Sequence, residues 1–224
     1  MARSLNPILL LLLLPLASCQ WPSTPSPPSQ PTSPDPGETR SPANDTLVIP
    51  GQRVGPVTAE TSRADLAARY GETALEDAPI PMGEGTTAAG TIVIPGPNQQ
   101  FSVVWQDASQ TQPELIRDFG PAWQTPEGLG VGVPYAEVEA ILGTFQIYGF
   151  AWDYSGTVAL AGSQLDQYDG YLLLRLSPAE KDIDQHPEAY RAMMGSQLFA
   201  SANPNLDLLA PTIYEMVVYF ERLP

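Results

Sequence analysis

The sequence of 224 residues has very few of the side chains that most often carry catalysis or bind metals. It contains one cysteine (Cys19), one histidine (His186) and one lysine (Lys181). A single cysteine cannot form an internal disulfide, and no pair of histidines or cysteines is present to hold zinc. A Ser-His-Asp triad would need His186, which precedes Pro187 and which we interpret as a surface residue at the start of a helix. The chain also lacks a G-x-S-x-G motif, and Lys181 lies outside any S-x-x-K motif. We therefore predict no catalytic residue of these classes, no bound metal and no cofactor.

Calcium-binding loops are also poorly represented. The segments 182–184 and 203–207 carry oxygen-bearing side chains at alternate positions. In the second segment, Leu208 replaces the glycine of an EF-hand loop, and Tyr214 replaces its bidentate glutamate. The first segment lacks the same two residues. Neither segment predicts an EF-hand, and a weak, solvent-exposed ion site is the alternative.

Positive charge is scarce as well. The chain has 25 Asp and Glu against 10 Lys and Arg, which gives a net charge of −15. An acidic surface repels the phosphates of nucleic acids and anionic lipid headgroups. We therefore expect no nucleic-acid partner, and we expect any contact with a membrane to depend on covalently attached lipid.

The first residues have the pattern of an export signal. Arg3 and the amino terminus are positive, and an uninterrupted apolar run covers residues 8–14. This run is far shorter than the roughly 20 residues of a membrane-spanning helix. We therefore interpret residues 1–18 as a cleaved signal peptide.

The end of this signal, Leu16-Ala17-Ser18-Cys19, resembles the lipobox of bacterial lipoproteins, in which a leucine and two small residues precede an obligatory cysteine. The resemblance implies diacylglycerol on the sulfur of Cys19, cleavage before this residue and acylation of the new amine. Two or three acyl chains anchor a protein stably in a membrane. Gln20 stands where an aspartate is associated with inner-membrane retention, which favours the periplasmic face of the outer membrane in a host with two membranes. An ordinary secreted protein is the alternative.

A segment rich in proline, serine and threonine follows, from Gln20 to about Pro50. Proline has no amide donor and a fixed φ, and almost no apolar side chain is present to be buried. We therefore assign residues 19–53 to the lipidated cysteine and a disordered linker, extended at about 3.1 Å per residue. This linker would hold the domain away from the lipid surface, and a proline-rich ligand for a partner domain is the alternative. Residues 54–224 are predicted to form a single domain.

Two segments of this domain, 60–71 and 132–143, each predict a short amphipathic helix that ends at a glycine. Ser62 and Asp65 fit a capping box at the start of the first helix. Pro134 suits the first turn of the second helix, where its missing amide would have no partner. The closing glycines can take the left-handed position after a helix at little steric cost. The two segments therefore indicate an internal repeat.

Each predicted helix is followed by sequence with the alternation of β-strands. The predicted strands are 91–94, 101–107, 145–154, 156–161, 171–176 and 213–221, and a further helix is predicted at 187–194. This order favours an α+β fold, an antiparallel sheet with a few short helices in two helix-plus-strands repeats. The repeat resembles that of beta-lactamase-inhibitor proteins and of the small outer-membrane assembly lipoproteins. The resemblance implies a periplasmic interaction module and identifies no functional residue.

Four aromatic residues, Tyr148, Phe150, Trp152 and Tyr154, recur at every second position. In a strand, this spacing places them on one face. An exposed aromatic face would form a platform for sugar rings or a peptide. The interpretation that we favour is that the face belongs to the core, because a domain of this size needs an aromatic core. Asp153 would then hold the turn that follows.

Two functional hypotheses follow from these observations. The first is a non-catalytic binding or assembly module on a lipid tether, with an envelope protein or a glycan as its partner. The second is a carboxylate-based hydrolase of cell-wall carbohydrate, in which Asp153 pairs with an acid such as Glu84. A cavity that holds both carboxylates beside the aromatic segment would favour the hydrolase. An apolar patch, with Asp153 bound by backbone amides, would favour the binding module.

Overall fold

A computed structural model describes residues 45–223. The predicted signal peptide, Cys19 and the linker up to residue 44 lie outside the described residues. Within residues 45–223, no helix is both long enough and apolar enough to cross a membrane.

Strands dominate the described part of the chain. They are β1 (Val48–Ile49), β2 (Arg53–Val54), β3 (Leu75–Gly83), β4 (Thr86–Val93), β5 (Phe101–Trp105), β6 (Pro113–Arg117), β7 (Gln146–Tyr148), β8 (Val158–Ala159), β9 (Leu172–Ser177), β10 (Leu198–Ala200) and β11 (Thr212–Tyr219). The helices are α1 (Arg63–Tyr70), α2 (Tyr135–Leu142), α3 (Glu180–Gln185), α4 (Pro187–Ala192) and α5 (Pro204–Leu209). The sheets have the strand orders β3-β4-β5-β6-β11-β9, β10-β7-β8 and β1-β2, and their strand pairings are antiparallel. The predicted α+β fold with short helices is confirmed.

Both helices of the predicted repeat form. Ser62 caps α1 in a capping box, since its hydroxyl accepts from the amide of Asp65 at 3.2 Å and the Asp65 carboxylate accepts from the amide of Ser62 at 2.9 Å. Pro134 precedes α2 as its N-cap instead of entering the first turn, and its carbonyl accepts from the amide of Val138. The glycines after the two helices have positive φ, but their ψ values of 146° and −130° lie outside the left-handed helical region. The two glycines therefore mark the helix ends as predicted, but not in the left-handed helical conformation.

The strands that follow the two helices join different sheets. After α1, the chain forms β3, β4, β5 and β6 as consecutive neighbours in the six-stranded sheet. After α2, β7 and β8 pair with each other in the three-stranded sheet, and β9 then adds to the far edge of the large sheet beside β11. In both copies of the predicted repeat a helix is followed by strands, as expected. The strands of the two copies do not occupy equivalent places in the sheets.

The predicted strand 145–154 is shorter than expected, because its regular part ends at Tyr148. A side chain at Gly149 would meet the carbonyl oxygens of Met193 and Gly195 at 2.6 and 2.5 Å. The next amide, of Phe150, donates to the Met193 carbonyl at 2.8 Å. The chain therefore leaves the sheet to pack against the segment after α4. The strands β3 and β6 were not predicted, because both contain proline, which is unfavourable in most strand positions. β3 is an edge strand, where proline is tolerated.

Residues 45–53, which the sequence placed in the linker, are part of the fold. Val48 is fully buried, and its amide donates to the Gln124 carbonyl at 2.9 Å. Arg53 forms an ion pair with Asp45 at 2.6 Å. The triplet Leu47-Val48-Ile49 provides apolar side chains of a kind that is scarce in the proline-rich sequence before it.

The six-stranded sheet has apolar side chains on both faces. One face packs on the main core with α1, α2 and α5, which contribute Leu66, Val138 and Leu206 among other residues. The opposite face carries a smaller cluster, made of Ile80, Val104, Leu115 and Val217. All of β5 is buried: Phe101, Val103 and Trp105 enter the main core, and Val104 enters the smaller cluster.

The large sheet is strongly coiled. Arg117, at the end of β6, donates from Nη1 to the Pro81 carbonyl of β3 at 2.9 Å, although β4 and β5 lie between these strands. In a flat sheet, strands three intervals apart would be about 14 Å apart, which is farther than an arginine side chain reaches. The register shifts at Pro81/Gly83, Val104/Trp105 and Ile213/Glu215 permit this curvature. The end of the β3–β4 hairpin therefore lies over the second face of the sheet.

Gly156 fixes the turn of residues 151–155 against β9, and its substitution should be costly. It has a φ of +65°, and an added Cβ would overlap the carbonyl oxygen of Leu176. We expect Gly156→Ala to lower the free energy of unfolding in urea by more than about 3 kcal/mol, because it combines backbone strain with a clash against backbone. Gly162→Ala is the matched control, since its φ is +79° but its Cβ would meet nothing within 4 Å. That variant should lose only about 1 kcal/mol, and equal losses in the two variants would contradict the proposed contact.

Candidate functional site

The candidate site is a cleft between the β3–β4 hairpin and the second face of the coiled sheet. It consists of a cavity of about 490 Å³ above the charged strand residues, here called the inner cavity, and a cavity of about 350 Å³ at the loop of the hairpin, here called the outer cavity. The two cavities adjoin, because Met82, Gly83 and Arg175 line both of them. Volumes of about 300 to 1,000 Å³ are typical of small-molecule sites. The cleft thus has room for a ligand of moderate size.

Three charged side chains on neighbouring strands form the floor of the inner cavity. Glu215 of β11 pairs with Arg117 of β6 at 2.9 Å and with Arg175 of β9 at 3.4 Å. Glu215 lies directly opposite Arg175 in the strand register, so their side chains meet as a cross-strand pair. The Glu215 side chain is only 17% exposed, so water screens these ion pairs less than it screens a surface pair.

The two arginines differ in how fully they are engaged. Arg117 donates to the Pro81 carbonyl, to Glu215 and to Asp118, so it serves mainly to hold the structure together. Arg175 donates from Nε to the Thr157 hydroxyl at 3.1 Å and faces Glu215 through Nη1. A guanidinium has five N–H donors, so these two contacts leave Arg175 with capacity for a ligand.

An aromatic hydroxyl also borders the inner cavity. Burial raises the pKa of Tyr219 above its ordinary value, and the positive charge of Arg117 partly offsets that effect. The Tyr219 hydroxyl therefore stays protonated at neutral pH and can donate a hydrogen bond.

The outer cavity brings together the two carboxylates that the hydrolase hypothesis paired. Glu84 and Asp153 both line it, together with Arg175 and Thr86. Both carboxylates are exposed, and within residues 45–223 neither forms a hydrogen bond or an ion pair with another residue. They are thus acceptors that the fold itself does not use.

Glu84 occupies an unusual position for its residue type. It forms, with Gly85, the two-residue loop of the β3–β4 hairpin, and the φ values of the two residues are +50° and +75°. Two positive φ values are the mark of a type I′ turn, for which Asn-Gly is the preferred sequence. The side chain at this position is therefore not the one that the turn alone would favour.

The four aromatic residues of the predicted platform do not share one face. Phe150 is 2% exposed and stacks on Tyr190, with 6.0 Å between the ring centroids. Tyr148 is half-buried and stacks on Tyr154 at 5.0 Å. Trp152 and Tyr154 are 59% and 55% exposed. The four rings therefore form neither one exposed platform nor one part of the core, because the strand ends before Phe150.

The turn between these aromatics is closed by Ser155 and not by Asp153, which corrects the structural role predicted for that carboxylate. The Ala151 amide donates to the Ser155 hydroxyl at 3.1 Å, and the Ser155 amide donates to the Trp152 carbonyl at 2.7 Å. Ala151 has a φ of +73°. Asp153 is left free to face the outer cavity.

The remaining candidates from the sequence have local structural roles. Asn203 caps α5 by accepting from the amide of Asn205 at 3.0 Å, and Asp182 and Asp184 lie within α3. His186 lies at the junction of α3 and α4, at the start of the helix predicted there. In the part of the chain that the structure describes, no cluster of three or more His, Cys, Asp and Glu side chains could hold a metal ion.

Sequence reasoning missed Arg117, Arg175 and Glu215. Arg175 and Glu215 are charged residues inside largely apolar strands, and Arg117 ends β6; charges at strand positions were the signal that could have identified them. A charged side chain that is partly buried in a sheet needs an ion-pair or hydrogen-bond partner. The sequence does not show that these three side chains pair with one another.

Comparison with known proteins adds little. No protein-family model matches the sequence, and no curated protein matches it. Among solved structures, the uncharacterized protein yfeY from Escherichia coli is similar at 16% sequence identity and a TM-score of 0.44, over 75% of this chain and 97% of that chain. Since that protein is itself uncharacterized, the similarity assigns no activity to this chain.

Replacing the shared carboxylate of the inner cavity should destabilise the protein. Glu215→Gln would remove the partner of two arginines that are mostly shielded from water, so we expect urea unfolding to report a loss of about 1 to 2 kcal/mol. Glu188→Gln is the control, because Glu188 pairs with Arg191 on the exposed surface and should contribute less than about 0.5 kcal/mol. Equal losses in the two variants would show that the inner network contributes no more than a surface ion pair.

Proposed function

We propose that this chain is a cell-envelope lipoprotein whose domain is a non-catalytic binding module. The observation that carries the binding role is the cleft, where Glu84, Asp153 and Arg175 border one cavity with hydrogen-bonding capacity that the fold does not use. A cavity with a few convergent polar groups is typical of a binding site.

The lipid anchor is proposed from the sequence. The lipobox ends at Cys19, which is the only cysteine of the chain. The acidic composition disfavours direct binding to anionic headgroups, so the acyl chains would provide the attachment. Gln20 favours the periplasmic face of the outer membrane, and the proline-rich segment would give the domain reach toward an envelope partner or a glycan.

The construction of the cleft supports binding to a preformed site. Its floor consists of paired strands, and Arg117 holds the β3 wall in place through the Pro81 carbonyl. A site that is already ordered loses less conformational entropy when the ligand binds. The polar side chains of the outer cavity would then fix the orientation of the ligand.

A carboxylate-based hydrolase of cell-wall carbohydrate is the second candidate, because Glu84 and Asp153 line the same cavity. Glycosidases place two carboxyl groups on either side of the bond that they cleave. Here both carboxylates are exposed on turns, whereas the general acid of such an enzyme often lies in an apolar pocket. The exposure of both groups makes binding the better-supported function.

Lipidation can be tested at Cys19. We expect the wild-type chain to incorporate an alkyne analogue of palmitate and to sediment with the membrane fraction, because the thiol carries the diacylglycerol. Cys19→Ala should lose the label, whereas the neighbouring change Ser18→Ala keeps a small residue before the cysteine and should retain it. Labelling of Cys19→Ala at the wild-type level would contradict the lipoprotein assignment.

Binding at the cleft can be tested by photo-cross-linking in intact envelopes. Tyr214 lines the inner cavity and is 45% exposed, so p-benzoylphenylalanine in its place should capture the ligand. The same photoreactive residue in place of Leu208, an exposed position of α5 outside the cleft lining, is the control and should capture little. Adducts of the same kind and yield at both positions, or at neither, would contradict binding at the cleft.

A further inference from the structure

The charges of the cleft indicate what kind of ligand it accepts. In the inner cavity, Arg117 and Arg175 face Glu215 and Asp118, so positive and negative charges balance. The outer cavity adds Glu84 and Asp153. The cleft thus has no excess of positive charge, and the acidic chain around it repels polyanions. The lining therefore carries two more negative than positive groups and disfavours an anionic ligand. Because Arg175 donates hydrogen bonds and the carboxylates accept them, an uncharged ligand that does both matches this arrangement.

The lining of the outer cavity also argues against an apolar ligand. Met82 is its only large apolar side chain; the other lining residues are Gly83, Glu84, Thr86, Asp153 and Arg175. An acyl chain or an apolar peptide side chain would leave these polar groups without partners, which costs free energy. Two carboxylates are also too few to replace the oxygen ligands that calcium requires.

Exposed aromatic rings occur in the turn that carries Asp153 and in the lining of the inner cavity. Trp152 and Tyr154 flank Asp153 in the same turn, and Tyr214 lines the cleft next to Arg175. The Tyr154 ring is held by its stacking on Tyr148, so it is ordered while more than half exposed. Aromatic rings combine a large apolar face with low conformational entropy, and the C–H face of a pyranose ring packs well against such a surface.

Two turns at this site adopt conformations that their residues do not favour. Glu84 and Ala151 have positive φ, which glycine or asparagine would adopt with less strain. The Glu84 side chain also makes no hydrogen bond within residues 45–223 that would offset this strain. A carboxylate at position 84 is therefore better explained by binding to a ligand than by a requirement of the hairpin.

We infer that the cleft is a saccharide-binding site, in which Glu84, Asp153 and Arg175 bind the hydroxyl groups of a neutral glycan. The exposed rings of Trp152, Tyr154 and Tyr214 would pack against the faces of its sugar units. This inference rests on the proposed binding function and names the chemical class of the ligand. The two adjoining cavities suit a chain of sugars better than a single unit.

The test uses the mature chain, residues 19–224, with Cys19→Ser so that it stays unlipidated. Chitotetraose, a neutral tetramer of N-acetylglucosamine, is titrated into the protein by isothermal calorimetry, with cellotetraose as a second probe that lacks the acetamido groups. We expect saturable binding of at least one tetramer. Glu84→Asn and Asp153→Asn should each weaken it tenfold or more, and Trp152→Ala should weaken it as well.

Glu84→Asn keeps the hairpin intact, because asparagine suits a type I′ turn, so a loss of binding in this variant cannot be attributed to unfolding. Glu188→Gln, outside the cleft, should bind like the wild type. Binding that is unchanged in both carboxylate variants would overturn the inference.

Two further outcomes separate this inference from the proposed function. If neither tetramer binds while p-benzoylphenylalanine at position 214 still captures an envelope component selectively, the saccharide inference fails and the binding function stands. If neither tetramer binds and the capture is also unselective, both fail. Shortening of a tetramer by the wild type, lost in Glu84→Gln and in Asp153→Asn, would support the saccharide class and replace the non-catalytic function with hydrolysis.

Discussion

The coiling of the six-stranded sheet is the constraint on which the rest of the site depends. The hydrogen bond from Arg117 to the Pro81 carbonyl joins two strands that have two others between them, and it can form only if the sheet curves. The same curvature covers the second face of the sheet, buries Val104 and Leu115 there, and leaves the cleft between that face and the β3–β4 hairpin. A flat sheet of the same strands would expose this face to water, and it would have no cleft.

Stability and binding draw on the same side chains in this region. Glu215 neutralises two arginines that would otherwise repel each other beneath the hairpin. Arg117 donates hydrogen bonds mainly to other residues of the protein, whereas Arg175 has N–H groups that can donate to a ligand in the cavity. Half-buried ion pairs contribute modestly to stability, but they fix geometry because a broken pair leaves a poorly solvated charge. Ion pairs thus fix the geometry of the floor of the cleft.

The two cavities differ in how they are built. The inner one is formed mainly by side chains on paired strands, whereas the outer one adds the turn residues Glu84 and Asp153 to residues of β3, β4 and β9. Turns can present unpaired carboxylates and exposed rings that a strand in a covered sheet could not present. The backbone strain at Glu84 and Ala151 lies in these turns, where the surrounding fold holds residues in conformations that they would not adopt alone. Binding sites commonly combine a floor of paired strands with loops that carry the ligand-binding side chains.

The sequence by itself determined the features that neighbouring residues decide, namely the capping box of Ser62 in α1, the strand β11 and the α+β class. Its composition alone determined the scarcity of catalytic side chains. The export signal and the lipid on Cys19 stay predictions from the same kind of local pattern. Only the tertiary structure decided that Phe150 enters the core while Trp152 faces water, because the chain leaves its sheet at Gly149 to meet the segment after α4. It also decided that Glu84 and Asp153 border one cavity. Period and propensity report on residues a few positions apart, whereas the coiling of the sheet arises from contacts between strands far apart in the chain, which no local pattern encodes.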